Sequence, residues 1–346
     1  MAPWVLSFLY SQLFVTIPSP TTSFAGQTII VTGSNTGLGL EAAKHFVRLN
    51  ASKVILAVRT PSKGQAAQRA IEASNPLSRT VIEVWELNLS SFKSVKAFAE
   101  RVTTLDRLDV LLENAGMMTT KFKLVEGNEC MITTNVLATE ILALLVLPKL
   151  RETAEKFGVQ PRLSIVTSDL HFVAKFKERH ANPEDLFAAL NSEEIADMDD
   201  RYAVSKLLEV FFVRELAFRI AEHDGKGPSV IVNCMTPGAC HSDFMRELTG
   251  VGKWMFKLAA AIIARSTEVG SRTLLASASA GPESHGKYMA DCQVTRAEEK
   301  LTASVMEREE FYANHESKEG REMQGRLWEQ TMRKLEGIVP GVAKIV

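Results

Sequence analysis

Six short apolar runs punctuate the chain at a regular beat, and the segments between them are long enough for helices. The runs are "QTIIVTG" at 27–33, "KVILAVR" at 53–59, "VIEVWELN" at 81–88, "LDVLLENAG" at 108–116, "RLSIVTS" at 162–168 and "SVIVNCMTPG" at 229–238. Each is β-branched and nearly continuous, as strands buried on both faces of a parallel sheet should be. Between them, "LEAAKHFVRL", "SFKSVKAFAERV" and "TNVLATEILALLVLPKL" repeat apolar residues at i, i+3 and i+4, the spacing of helices with one face on a core. Strand and helix in alternation predict an α/β fold, a single doubly wound parallel sheet with helices on both faces. The pattern runs over 26–290, so 1–25 is read as an apolar amino-terminal segment and 291–346 as a charged, helical appendage.

A chain of 346 residues, 46% apolar and 23% charged with a formal net charge of -1, can bury a large core and has no basic excess for nucleic acid. A small molecule is the expected partner. Cys130, Cys234, Cys240 and Cys292 form no CxxC pair and no Cys/His grouping, so neither a metal site nor a disulfide framework is expected. A reducing, cytoplasmic setting fits best. The opening "MAPWVLSFLYSQLFVTIPSP" carries no charge before Glu41, yet its apolar stretch from Pro3 to Ile17 is shorter than the roughly 20 residues that span a bilayer. It also lacks a basic n-region. Packing across the domain's own surface is the expectation, with peripheral membrane contact as the alternative.

The stretch "TGSNTGLG" at 32–39 falls between a strand and a helix. Such a turn aims backbone N–H groups and a positive dipole end at the sheet's carboxyl edge, an anion site suited to a pyrophosphate. This is the signature of a Rossmann-type nucleotide site. Gly33 is expected to allow the tight turn, Gly37 the approach of the phosphates and Gly39 the packing of helix on strand, with Ser34, Asn35, Thr36 and Leu38 completing the loop. A site built for NAD would end the second strand in Asp or Glu to hold the ribose 2′-hydroxyl. Here the strand ends in Arg59, whose guanidinium can pair with a 2′-phosphate, so NADP(H) is the expected cofactor.

In "RYAVSKLLEV", Tyr202 and Lys206 stand at i and i+4 and share one helix face. An ammonium beside a phenol favours the phenolate, so Lys206 is expected to lower the Tyr202 pKa toward the working range of a proton donor and acceptor. In company with TGSNTGLG, ENAG at 113–116, Asn135, "IVTS" ending at Ser168, and "TPGACHS" at 236–242, the chain resembles the short-chain dehydrogenase/reductase family over roughly 26–290. The resemblance is nearest to the retinol-dehydrogenase-like branch and similar fungal enzymes, through "LAVRTPSKG", "TSDLH" and "ESHGKY". It implies that Tyr202 exchanges the substrate proton, that Lys206 binds the nicotinamide ribose and that Ser168 orients the substrate oxygen. Asn135 would hold the helix geometry and a water of the proton path. Asn114, Ala115, Gly116, Pro237, Gly238 and Ser242 would line the cofactor. Independently of the family, two O–H donors converging on a carbonyl oxygen stabilise the charge that develops there.

The chain departs from the family pattern in two places. Glu113 replaces the first asparagine of NNAG, and Asn88 stands where an aspartate commonly meets the adenine; its amide still offers a donor and an acceptor to the base edge. The 34-residue interval from Ser168 to Tyr202 implies an inserted segment beside the site. His171 and His241 have no evident partner and are read as ordinary loop residues. The apolar stretch at about 243–265 is expected to be a lid suited to a hydrophobic substrate. The function expected is therefore NADP(H)-dependent oxidoreduction of an alcohol and a ketone or aldehyde on a lipophilic molecule, such as a terpenoid or polyketide intermediate. The alternatives are a retinol- or steroid-type dehydrogenase and a cofactor-binding regulator or scaffold without turnover. Assembly into a homo-oligomer is left open.

Overall fold

The computed structural model of the protein describes residues 3–74, 81–181, 184–225, 227–241, 263–295 and 318–346. Its strands are β1 Thr28–Thr32, β2 Lys53–Val58, β3 Ile82–Glu86, β4 Val110–Glu113, β5 Leu124–Val125, β6 Asn128–Glu129, β7 Arg162–Val166, β8 Ile231–Met235, β9 Tyr288–Ala290 and β10 Gln293–Val294. The longer helices are α1 Pro3–Phe14, α2 Gly37–Arg48, α3 Pro61–Ser74, α4 Phe92–Thr103, α5 Ala138–Phe157, α6 Arg201–Asp224, α7 Thr267–Ser279 and α8 Lys318–Ile338.

Among the described residues the central sheet has the order β3-β2-β1-β4-β7-β8-β9-β10. It is parallel except for β10, which pairs antiparallel with β9. The six anticipated strands are all present. The middle strands β1, β4 and β8 are buried at every position, which is why their sequences read as unbroken apolar runs. One face carries α4, α5 and α6, with Val95, Phe98, Ile141, Leu144, Val204 and Leu216 buried; the other carries α2, α3 and α7, with Ala42, Phe46, Ile71 and Leu274 buried. Strand order reverses between β1 and β4, opening a crevice at the carboxyl ends where ligands of such sheets bind.

Two sequence expectations change. The sheet gains β9 and β10, three and two residues long and too short to carry a periodic signal. The carboxyl tail is no appendage: α8 lays Trp328 and Leu335 into the main core, and Trp328 stacks on Phe212 of α6 at 5.7 Å. Each large apolar side chain buried this way contributes about 1.5–3 kcal/mol. The residues anticipated as a lid, 243–265, fall outside the described residues except for 263–265, and Ser242 is outside them too. The amino-terminal segment lies across the domain: Ile17 and Phe24 are buried, and the Arg272 guanidinium donates to the Ile17 carbonyl at 2.8 Å. Leu6, Tyr10, Leu13 and Phe14 of α1 stay exposed. The helix of Ile132–Phe157 is long and apolar enough to span a bilayer, but 89% of its apolar 18-residue window is buried inside the protein.

Candidate active site

The glycine turn is held by the end of β1. Gly33 has φ +67 and its N–H donates to the Ala57 carbonyl at 2.8 Å, a left-handed turn that a side chain would strain. A Cβ on Gly39 would lie 2.5 Å from Asn114 Nδ2 and 2.8 Å from the Gly33 carbonyl oxygen, so this glycine lets α2 start hard against the turn and the β4 loop. Gly37, at φ +59, opens instead on free space. Thr36 precedes α2 in extended geometry and makes no side-chain cap, which leaves the first-turn N–H groups facing out, as an anion site requires. Asn35 and Leu38 are half-buried beside it. Ser34 is different: fully buried, it donates to the Val31 carbonyl at 2.9 Å and shapes the turn from inside.

Thr32 ties this turn to the β4 loop. Its hydroxyl oxygen accepts from the Asn114 and Ala115 N–H groups, both at 2.9 Å, while Asn114 Nδ2 donates to its carbonyl at 2.9 Å. The two sides of the crevice are thus hydrogen-bonded to each other. Arg59 follows β2 at the carboxyl edge, is exposed, and makes no ion pair among the described residues. Asn88 is less open than its sequence suggested. Its Oδ1 already accepts from the Ser90 N–H at 3.1 Å, so the amide donors are the part best placed to meet a base.

Around the switch point the four residues expected to do chemistry come together. Asn135 sits in a π-helical turn, Ile132–Leu137, that leads into α5. Its Oδ1 accepts from the Met117 N–H at 2.8 Å, and its Nδ2 donates to the Met117 carbonyl at 2.9 Å and to Ser205 Oγ at 3.1 Å. It therefore pins the β4 loop to α6, next to Tyr202. Gly116 completes that loop; a Cβ there would point at Asn135 Oδ1 and Lys206 Nζ, 3.4 and 3.7 Å away. Ser168 ends the β7 strand region, caps the short turn Asp169–Val173 and hydrogen-bonds the Tyr202 hydroxyl. Lys206 Nζ lies 5.8 Å from the Tyr202 ring centroid, donates to the Val166 carbonyl at 2.9 Å and contacts Glu209 Oε1 at 2.8 Å and Oε2 at 3.1 Å.

The electrostatics overturn one expectation. Burial pushes the Tyr202 phenol above its ordinary pKa; Lys206 and the Ser168 hydrogen bond pull it down, but the Glu209 carboxyl adds to the rise. The lowering expected of Lys206 is present but is outweighed, chiefly by burial of the phenol itself and further by the Glu209 carboxyl one turn on. Burial also opposes the Lys206 charge, yet Glu209 and Tyr202 hold the ammonium above its usual value.

Several structural residues carried no usable signal in sequence. Gln12 of α1 reaches the turn after β8: its Nε2 donates to the Ala239 and Ile263 carbonyls and its Oε1 accepts from the Ala239 N–H, each at 3.1 Å. Gly238, at φ +73, sits in a backbone conformation that strains a side chain, and a Cβ there would displace Gln12, whose Oε1 would lie 2.3 Å away; Pro237 before it is buried. Asp169 accepts from the Tyr288 hydroxyl at 2.8 Å and from Thr236 Oγ1 at 3.2 Å, joining the turn that Ser168 caps to β9 and the β8 loop. His171 is no ordinary loop residue: it is buried, contacts the Phe172 and Tyr288 rings, and brings Nδ1 to 2.7 Å from the Ser168 carbonyl. His241 is exposed. The inserted segment is anchored by Arg201, fully buried beside Tyr202, which meets Glu178 at 2.8 Å, Glu129 at 3.6 Å and the Leu190 carbonyl at 2.6 Å.

A nicotinamide dinucleotide fits this crevice on the observations of the structure itself. An uncapped helix N-terminus faces it, an open glycine lies where phosphates approach, and an exposed guanidinium stands at the β2 end. Comparison with known proteins agrees. Residues 27–159 match the family described as short chain dehydrogenase. A short chain dehydrogenase/reductase of Cryptosporiopsis sp. (strain 8999) is 42% identical over 340 residues, covering 97% of this chain and 99% of its own. A short-chain dehydrogenase of Penicillium roqueforti is 40% identical over 342 residues, 99% of this chain and 86% of its own. Among solved structures, an uncharacterised protein of Mycobacterium paratuberculosis superposes with a TM-score of 0.63 at 24% identity, covering 92% of this chain and 98% of that one. A 3-oxoacyl (acyl-carrier-protein) reductase of Agrobacterium tumefaciens with NADP bound gives 0.57 at 20% identity, covering 78% and 93%. These two likenesses concern the fold.

Proposed function

Because this chain belongs to the short-chain dehydrogenase/reductase family, we propose that it is an NADP(H)-dependent oxidoreductase that interconverts an alcohol and a ketone or aldehyde on a lipophilic small molecule, such as a terpenoid or polyketide intermediate. The observation that carries this reading is the convergence of Ser168, Tyr202 and Lys206 at the carboxyl edge of the sheet, beside the β1–β4 crevice. The nicotinamide, when bound, supplies or accepts the hydride. Everything else falls to the chain's own groups. The Ser168 and Tyr202 hydroxyls donate to the substrate oxygen and stabilise its developing charge, and Tyr202 exchanges the proton. Burial holds the Tyr202 phenol above its ordinary pKa, which favours the protonated form, the form that donates when a carbonyl is reduced. Lys206 would hold the ribose hydroxyls, and Arg59 the 2′-phosphate.

The test is a panel of hydrophobic ketones, aldehydes and alcohols assayed with NADP(H) and with NAD(H). The expected result is turnover with NADP(H), reduced about 100-fold or more in Tyr202→Phe, the scale of a lost acid–base group. In Arg59→Ala the advantage of NADPH over NADH should shrink about tenfold or more, as for a lost charged hydrogen bond. Tight NADPH binding without turnover on any compound would favour a regulator instead. Full activity in Tyr202→Phe would refute the mechanism.

A further inference from the structure

Behind Lys206 lies a buried group of carboxyls that the reaction as described does not use. Glu209 grips the lysine ammonium with both oxygens, at 2.8 and 3.1 Å, and is itself buried. Glu113, the last residue of β4, and Glu140, in the first turn of α5, are buried as well. Neither oxygen of Glu113 and not Oε2 of Glu140 meets a hydrogen-bond partner among the described residues. Three ionised carboxyls against one ammonium would leave uncompensated charge in a dry interior, at a cost of several kcal/mol per ion. One carboxylate facing one ammonium, with two neutral acids behind, removes that excess. Burial pushes both Glu113 and Glu140 well above the carboxylate range, and Glu209 adds to the rise in each. Glu209 is itself pushed up to about 7 by burial, against the pull of Lys206.

We propose that Glu209 is a positioning residue that acts through Lys206: it fixes the ammonium against the Val166 carbonyl and, by offsetting its charge, sets the pH at which Tyr202 changes protonation state, while Glu113 and Glu140 serve as neutral acids. This rests on the assignment of Tyr202 and Lys206 above. The other groups around the pair are accounted for. The Thr167 hydroxyl, 2.9 Å from the Lys206 carbonyl, also bonds the Glu209 carboxyl, and Cys234 of β8 is a thiol that burial pushes up to about 12. Arg214 of α6 lies near Cys234. Asp169 is engaged by Tyr288 and Thr236, and His171 by the Ser168 carbonyl. The π turn Ile132–Leu137 brings no ionisable side chain. Glu215, further along α6, bonds Arg219 and Gln324.

The sign follows from charge alone. Removing the Glu209 anion leaves the Lys206 charge unshared and favours the phenolate, so the Tyr202 step moves to lower pH whichever way the reaction runs. The step is read without substrate, as the tyrosinate absorbance that disappears in Tyr202→Phe. In Glu209→Gln it should fall by about one unit, the low end for a neighbouring charge. In Glu113→Gln, where one neutral group replaces another, it should stay within about 0.3 unit. A step that does not move in Glu209→Gln, or that moves as far in Glu113→Gln, would overturn the proposal. Should Glu209→Gln not fold, infrared spectra of the unmutated enzyme decide. Protonated carboxyl bands at neutral pH, one lost in Glu113→Gln and one in Glu140→Gln, support the arrangement, and their absence refutes it. These readouts need no turnover, so an enzyme inactive on every carbonyl tested can still pass or fail them.

Discussion

Replacing Gly39 by alanine puts a methyl group where α2, the glycine turn and the β4 loop meet. Its carbon would stand 2.5 Å from Asn114 Nδ2 and 2.8 Å from the Gly33 carbonyl oxygen, whereas ordinary contact begins at 3.4 Å. If Asn114 alone gives way it must retreat by about 0.9 Å, which stretches its 2.9 Å bond to the Thr32 carbonyl beyond hydrogen-bonding range. If α2 gives way instead, its first-turn N–H groups leave the crevice. Overpacking of this kind costs about 1–3 kcal/mol and a lost hydrogen bond about 1 kcal/mol, so Gly39→Ala should lose about 2–4 kcal/mol in urea unfolding. Since a displacement of the turn also misplaces the anion site, NADPH affinity, measured by fluorescence titration, should drop about tenfold or more. A variant within about 0.5 kcal/mol of the parent in stability and unchanged in NADPH affinity would show that this contact is not why the position is glycine.

Two further substitutions probe what packs around the site. Gln12→Ala removes two hydrogen bonds to Ala239 in the turn after β8 and one to the Ile263 carbonyl, and strands the Ala239 backbone; it should cost about 1–3 kcal/mol in stability and weaken NADPH binding several-fold, and an unaltered dissociation constant would detach α1 from the site. Arg201→Met leaves Glu178 and Glu129 buried without their cation and should cost about 3–5 kcal/mol by urea unfolding; a loss under about 1 kcal/mol would mean the inserted segment is anchored by something else.

Residues whose role is fixed by local chain geometry were legible early. Gly33 needs a positive φ, Tyr202 and Lys206 share a face because a helix turn is 3.6 residues, and the apolar runs are strands because both faces are covered. Glu209 was legible in principle, three residues beyond Lys206 on the same helix, but nothing local shows that the face is buried. That burial turned the expected lowering of the Tyr202 pKa into a rise. Gln12 and Asp291, hundreds of positions from their partners Ala239 and Ser11, leave no periodic trace at all.

The amino-acid order by itself settled the alternation of strand and helix, the place of the glycine turn after β1 and the sharing of one helix face by Tyr202 and Lys206, because each depends on spacings of a few residues. Tertiary structure decided which charges face one another in the dry interior, how α1 and α8 close over the sheet, and whether a histidine such as His171 is packed or loose. Those outcomes depend on long-range contacts and on the dielectric around each group, which exist only once the sheet has brought β4, α5 and α6 together.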